Sequence, residues 1–179
     1  MKLWPMKTSH DQLDVSATIV TDNPIFTIIN GLLSGLWRAC VQHQTHVAVI
    51  ETLGLQGLAD AMRARTADEP IAIRGLLDRL VDLGGKPAFT IEAPAIGATV
   101  LEILDSDMEL QRHARPKLNA AAETAGAAHD ATSRNLIEQI LADEEKHLSW
   151  LETEIVLYET LGESLYCASR LQARKANAA

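Results

Sequence analysis

Residues 138–152, Glu-Gln-Ile-Leu-Ala-Asp-Glu-Glu-Lys-His-Leu-Ser-Trp-Leu-Glu, constrain the fold more than any other segment of this chain. Their apolar residues recur at intervals of three and four, which places them on one face of a helix. That face carries Ile140, Glu144, His147, Leu151 and Tyr158. Because Ile140 and Leu151 mark the face as buried, Glu144 and His147 are expected inside the protein, where a carboxylate is costly unless something pairs with it. The segment therefore predicts a polar site in a helical core, compensated by a metal, another cation or a hydrogen bond.

Composition favours an all-α protein. The chain has 179 residues, of which 47% are hydrophobic and 4% aromatic, and helix-forming Leu and Ala dominate. The formal net charge is -8 and no basic run stands out, which argues against a nucleic-acid partner. Cys40 and Cys167 form no paired motif, so they are expected to be reduced thiols in a cytoplasmic protein. We find no signal peptide and no apolar run close to the roughly 20 residues of a membrane span.

Helical periodicity predicts four long helices and a short fifth. The predicted ranges are 24–53, 55–83, 97–127, 131–161 and 163–176, bounded by Asp22-Asn23-Pro24, Gly54, Gly84-Gly85, Asp130 and Gly162. Short turns make the first and second pairs of helices antiparallel, and the connection containing Pro87 and Pro94 is long enough to cross the bundle. This is the topology of a ferritin-like four-helix bundle with one long crossover. The predicted organisation is an N-terminal arm at 1–20, the bundle at 21–162, and a short C-terminal helix and tail at 163–179.

Two prolines lie inside predicted helices. Pro70 and Pro116 each lack an amide hydrogen and clash with the preceding helical turn. The sequence leaves a kink and a local break as alternatives at both positions.

Polar residues interrupt the apolar stripes of all four long helices. They are His43, Arg65, Glu69, Gln111, Glu144 and His147. All but His43 lie near the midpoint of their predicted helix, so an antiparallel bundle brings them to one buried layer. Simpler interpretations remain open: Glu144 and His147 as an internal hydrogen-bonded pair, His43 and Gln111 as ordinary core residues, and Arg65 paired with Glu69 one turn away.

The chain resembles the bacterioferritins over about residues 23–172. The strongest match is His129-Asp130-Ala131-Thr132-Ser133-Arg134 followed by Asp143-Glu144-Glu145-Lys146-His147 and 150–154, with weaker matches at 83–87 and Ser106-Asp107. The resemblance implies a ferritin-like fold and a spherical cage of 24 subunits. Members of the family oxidise Fe(II) at a di-iron centre within each subunit and store a ferric mineral, and many bind haem between subunits.

The resemblance carries over only part of the family's metal site. Three of six ligand positions keep a ligand, at Glu69, Glu144 and His147. The other three positions hold Leu36, Ala72 and Gln111. The haem-ligating methionine, expected directly after the second-helix glutamate, is Pro70. The resemblance thus supports fold and assembly and argues against both signature chemistries.

Two carboxylates are too few to neutralise and bridge two iron ions, and Arg65 adds a permanent positive charge on the predicted stripe. We therefore predict a metal site converted into a buried salt bridge between Arg65 and Glu69 or Glu144.

The leading hypothesis is a bacterioferritin-like subunit of an iron-storage cage. It would lack its own ferroxidase activity and assemble alone or with an active paralogue, and iron would be its stored mineral. One alternative is a single metal ion on Glu144 and His147, helped by Glu69 and more weakly by His43 or Gln111. Another is a ferritin-like structural or interaction protein without metal.

Overall fold

The computed structural model describes residues 23–171, and over this range the chain forms six helices and no strand. The helices are α1 Pro24–Thr52, α2 Gln56–Arg65, α3 Glu69–Asp82, α4 Val100–Ala127, α5 Ala131–Leu161 and α6 Glu163–Ser169. The predicted all-α bundle with a long crossover is confirmed. The arm at 1–20 and the end of the predicted tail helix, residues 172–176, lie outside the described residues.

The ends of the long helices follow their local sequence. Asn23 caps α1 by accepting a hydrogen bond from the amide of Ile25 at 2.9 Å, and Pro24 occupies the first turn, where no amide donor is needed. Asp130 caps α5 in the same way through the amide of Ser133 at 3.0 Å. Thr99 and Glu102 form a reciprocal capping box at the start of α4.

The prediction of one continuous helix over 55–83 is wrong. The chain leaves the helical conformation at residues 66–68 and begins again at Glu69. Pro70 explains this break, because its ring cannot follow a regular turn but fits the first turn of α3. Pro116 has a different outcome, since it lies on the exposed side of an uninterrupted α4.

The crossover between α3 and α4 runs along α1 and is attached to it by side chains. The amide of Ala88 donates to Asn30 at 2.7 Å, the amide of Ala95 to Gln42 at 3.0 Å, and the amide of Gly97 to His46 at 3.0 Å. The side chains of α1 thus replace the regular hydrogen bonds that the crossover lacks.

Two apolar clusters fill the bundle, one toward each end. The first includes Ile29, Leu76, Ala125 and Ile137, and the second includes Ile50, Leu58, Leu104, Leu151 and Tyr166. On α1, α4 and α5 the residues between these clusters are polar and largely buried. The fold therefore holds a polar layer between two apolar cores.

Within residues 23–171, α1 is the one helix long and apolar enough to cross a membrane by length and composition. Polar residues interrupt its apolar run, so the sequence alone did not indicate a membrane span here. One face of α1 packs on the other helices of the bundle, with Ile29, Leu33 and Ile50 buried. Core helices of bundles meet the same criteria of length and composition, so these criteria alone carry little weight.

Candidate functional site

The polar layer consists of eight side chains from the four sides of the bundle. They are Gln42, His43 and His46 of α1, Glu69 of α3, Asp107 and Gln111 of α4, and Glu144 and His147 of α5. All except Glu144 are at most 5% exposed. The structure thus brings together five of the six residues predicted to converge, and it adds Gln42, His46 and Asp107.

His43 joins three helices at the centre of the polar layer. Its Nδ1 lies 2.5 Å from Glu69 Oε1, and its Nε2 lies 3.6 Å from Asp107 Oδ1. Burial alone would lower the pKa of His43, but the hydrogen bond to Glu69 and the charges of Asp107, Glu69 and Glu144 outweigh it and raise the pKa above its ordinary value. His43 thus connects α1 with Glu69 of α3 and lies close to Asp107 of α4.

Asp107 is the second charged centre and was missed as a site residue. Its Oδ1 accepts hydrogen bonds from His46 Nδ1 at 2.8 Å and from Gln42 Nε2 at 2.9 Å. Since His46 Nε2 accepts from the amide of Gly97, the proton of His46 is fixed on Nδ1. Burial would raise the pKa of Asp107, but these donors and the nearby His43 lower it overall.

A sequence signal for this centre existed. Gln42 and His46 stand one turn apart beside His43 of the predicted polar layer, and Ser106-Asp107 belongs to a segment that resembles the bacterioferritins. His43 and His46 stand three residues apart, a spacing that is by itself a weak motif for a site.

Gln111, Glu144 and His147 form the third part of the polar layer. The Nε2 of Gln111 lies 3.2 Å from His147 Nδ1, and the Gln111 amide also acts to lower the pKa of the Glu144 carboxyl. Burial, together with the charges of His43 and Arg65, lowers the pKa of His147 to about 3. His147 is thus neutral at physiological pH and accepts from Gln111 at Nδ1.

The Glu144 carboxyl is unusual in this group. Burial and the Glu69 carboxylate raise the pKa of Glu144 to about 7. Within the described part of the chain, no Lys, Arg or His nitrogen lies within the 4.0 Å of an ion pair with it. Glu144 borders a cavity of about 120 Å³ shared with Glu69 and His147 and a cavity of about 290 Å³ between α1, α4 and the crossover.

The predicted buried salt bridge of Arg65 is wrong. Arg65 is the last residue of α2 and is exposed. Its guanidinium lies 5.9 Å from the centre of the Trp150 ring, and the described residues offer it no ion pair. The helix break at 66–68 is the physical reason, because Arg65 and Glu69 do not share the face that one continuous helix would give them.

The residues present do not fit two iron ions. Leu36 belongs to the first apolar cluster, Ala72 has no donor atom, and the Gln111 amide bears no charge. Glu69 is engaged by His43. Over residues 23–171, no group of three or more His, Cys, Asp and Glu side chains has the arrangement to hold a metal ion.

The residue at the expected haem-ligand position cannot bind a haem iron either. Pro70 stands exposed at the beginning of α3, and its ring offers no sulfur atom to an iron. Both cysteines are unpaired, with Cys40 buried and Cys167 half-buried.

Comparison with known proteins agrees with this architecture. Residues 27–161 match the family model for the ferritin-like domain. The chain is 34% identical to a bacterioferritin of Streptomyces coelicolor over 84% of its own length and 91% of the relative's. It is 31% identical to a bacterioferritin of Mycolicibacterium paratuberculosis over 83% of its own length and 96% of the relative's.

Solved structures agree as well. The Mycobacterium tuberculosis bacterioferritin BfrA superposes with a TM-score of 0.81 at 30% identity, covering 84% of this chain and 96% of that one. The class defined by fold and polar layer is thus the ferritin-like proteins, and the chain belongs to their bacterioferritin family.

Proposed function

We propose that this protein is a subunit of an iron-storage cage that lacks a di-iron oxidation centre of its own. Family membership supports the storage role and the assembly. The observation that carries the finer proposal is the replacement of three of six ligand positions by Leu36, Ala72 and Gln111, while Glu69 is bonded to His43. Such a subunit contributes wall and inner surface to a cage, alone or beside an active paralogue in the cytoplasm.

The test is stopped-flow oxidation of Fe(II), supplied at two ions per chain under oxygen. We expect the wild-type protein to oxidise iron at the rate of the buffer, because no pair of ions can be bridged. An oxygen-dependent burst, stoichiometric with two irons per chain, would refute the proposal. The triple variant Leu36→Glu, Ala72→His, Gln111→Glu is the positive control, and it is expected to gain measurable oxidation.

Assembly with a paralogue needs a separate measurement. Co-expression with an intact bacterioferritin, with a tag on only one of the two chains, is expected to yield mixed particles. Purification of particles that contain only one kind of chain would remove the accessory role but leave the storage role standing.

A second candidate function is the binding of a single metal ion. The cavity bordered by Glu69, Glu144 and His147 favours it, because these are the three kept ligand positions. Metal analysis of the purified protein after dialysis separates the two candidates. One tightly held transition metal per chain, lost in Glu144→Gln, would establish the second.

Haem binding is not part of the proposal, since Pro70 replaces the expected thioether ligand. Haem added to the purified protein is expected to give no titratable Soret band at one haem per two chains. Pro70→Met is the informative comparison, because it restores the ligand at the first turn of α3.

A further inference from the structure

The cavity of about 290 Å³ between α1, α4 and the crossover has the character of a small-molecule site. Its walls are mostly apolar and include Leu32, Leu36, Ala39, Leu110, Ala114 and Leu118. Ligand pockets in proteins are typically apolar clefts of roughly 300–1,000 Å³ that contain a few polar groups. The size of this cavity therefore suits a compact molecule with a single ring.

Two polar side chains that border the cavity each have a buried atom without a hydrogen-bond partner. Over residues 23–171, Gln111 Oε1 accepts no hydrogen bond and Arg38 Nε donates none. Gln111 is only 2% exposed, and its amide nitrogen is directed to His147. The Arg38 guanidinium reaches Glu92 through a different nitrogen, at 3.3 Å. Because buried polar atoms are rarely left unpaired, this acceptor and this donor are candidates to bind a molecule in the cavity.

Arg38 and Gln111 border the cavity at one level. The helices α1 and α4 run antiparallel, since the start of each lies with the end of the other in one apolar cluster. Gln42 of α1 bonds Asp107 of α4 at 2.9 Å, and one turn from this contact along each helix leads to Arg38 and Gln111. A single ligand group between them must donate to the Gln111 oxygen and accept from the Arg38 nitrogen. A hydroxyl does both.

Two glycines of α1 leave space beside the cavity. Gly31 and Gly35 stand one turn apart inside the helix, and both border the cavity. A Cβ atom at either position would meet no atom within 4 Å outside its own stretch of helix. Glycine destabilises the interior of a helix relative to alanine. Close packing within the described residues therefore does not explain these glycines, whereas space for a ligand does.

Charge at the polar end of the cavity disfavours an anionic ligand group. Glu144 borders the same cavity, and Glu92 already forms an ion pair with Arg38. A ligand carboxylate between Arg38 and Gln111 would meet the Glu144 carboxyl and would offer no proton to the Gln111 oxygen. A neutral hydroxyl avoids both costs.

We infer that this cavity binds a small phenol. Its hydroxyl donates to Gln111 Oε1 and accepts from Arg38 Nε, while its ring packs against Leu36 and Leu118. A flat, rigid ring loses little conformational freedom on binding, which favours it over a flexible alcohol of the same size. The inference goes beyond iron storage, and the Fe(II) oxidation test has no bearing on it.

The experiment is isothermal titration calorimetry of the whole protein with three matched probes. They are 4-ethylphenol, its methyl ether 4-ethylanisole, and 4-ethylbenzoate. We expect one molecule of 4-ethylphenol to bind per chain. The ether cannot donate to Gln111 and should bind about tenfold more weakly or worse, and the charged benzoate should not bind measurably.

Variants locate the binding site. Gly35→Leu puts a side chain into the cavity and should abolish binding of 4-ethylphenol. Thr27→Leu adds the same side chain at an exposed position of α1 outside the cavity, and it should bind like wild type. Gln111→Leu removes the acceptor, so its affinity for 4-ethylphenol should fall about tenfold while its affinity for 4-ethylanisole stays the same.

Three results would overturn the inference. The first is no binding of 4-ethylphenol at millimolar concentration. The second is equal affinity for the phenol and its ether, which would show that only the apolar walls attract the ring. The third is full binding by folded Gly35→Leu, which would place the phenol elsewhere. The comparison of probes uses wild-type protein alone, so it decides the question even if a variant does not fold.

Discussion

The Glu144 carboxyl makes the stability of the folded protein depend on pH. Its pKa of about 7 in the folded protein exceeds the ordinary value of 4.5 because of burial and the neighbouring Glu69. The folded state therefore binds a proton that the unfolded state has already released between these two pH values. The contribution of Glu144 to stability is fully present below about pH 4.5 and is lost as pH rises toward about 7.

Glu144→Gln tests this coupling. The variant cannot ionise, so relative to wild type its free energy of unfolding should increase between about pH 4.5 and 7, by at most about 1.4 kcal/mol per pH unit. Urea unfolding at several pH values measures the difference. Glu159→Gln, on the exposed side of the same helix, is the control, and a difference for Glu144→Gln that does not change with pH would contradict the expectation.

Single residues also show how much of the candidate site could be predicted from the sequence. Helical spacing correctly placed His43, Glu69, Gln111, Glu144 and His147 in one layer, but their role as metal ligands stays a prediction. Spacing failed for Arg65, whose position depended on a helix that is broken. The partner of Glu69 is His43 instead, because contacts between helices depend on a packing that a linear pattern does not contain.

At the scale of elements, Pro70 and Pro116 also show that local sequence does not decide the structure alone. Each was compatible with a kink or a break, and the surrounding residues decided the outcome. Pro70 follows Asp68 and Glu69 and begins a helix, whereas Pro116 lies within 28 helical residues that pack along α5. Long-range packing of α4 thus outweighs a local cost that periodicity alone could not evaluate.

Replacement of these prolines by alanine should give opposite results. Pro116→Ala restores an amide donor in the middle of α4 and should increase the free energy of unfolding, up to the roughly 3 kcal/mol that an internal proline costs. Pro70→Ala should change it by less than about 0.5 kcal/mol, because a first-turn amide has no helical acceptor. Chemical denaturation of both variants is the measurement, and equal effects would show that Pro116 is not strained.

At the scale of the molecule, α6 closes one end of the bundle. The buried Tyr166 hydroxyl donates to Glu154 at 2.7 Å, and Arg170 binds the same carboxylate through two nitrogens. Tyr166 is thus fully buried by its own bundle, without a contribution from another subunit. Leu165 and Leu171 remain 63% and 56% exposed, which leaves apolar surface at this end of the bundle.

We expect the purified protein to form a closed particle of many 19.5 kDa chains. Leu165→Asp should shift the distribution toward smaller species, because a charge at a buried contact is costly. Ser164→Asp adds the same charge at the neighbouring exposed position and is the control. Multi-angle light scattering measures the mass, and a monodisperse wild-type monomer at micromolar concentration would contradict the expectation.

The attachment of the crossover to α1 fixes the length of this connection. Twelve helical residues separate Asn30 from Gln42, which is about 18 Å along the axis, and only seven residues lead from Ala88 to Ala95. Seven extended residues reach at most about 25 Å. Removing two of them would leave a span of about 18 Å at best, with no slack for bends. Long loops usually accept deletions. Here the distance between Asn30 and Gln42 along α1 sets a minimum length for the crossover, and shortening it would break its hydrogen bond to Gln42 or to Asn30.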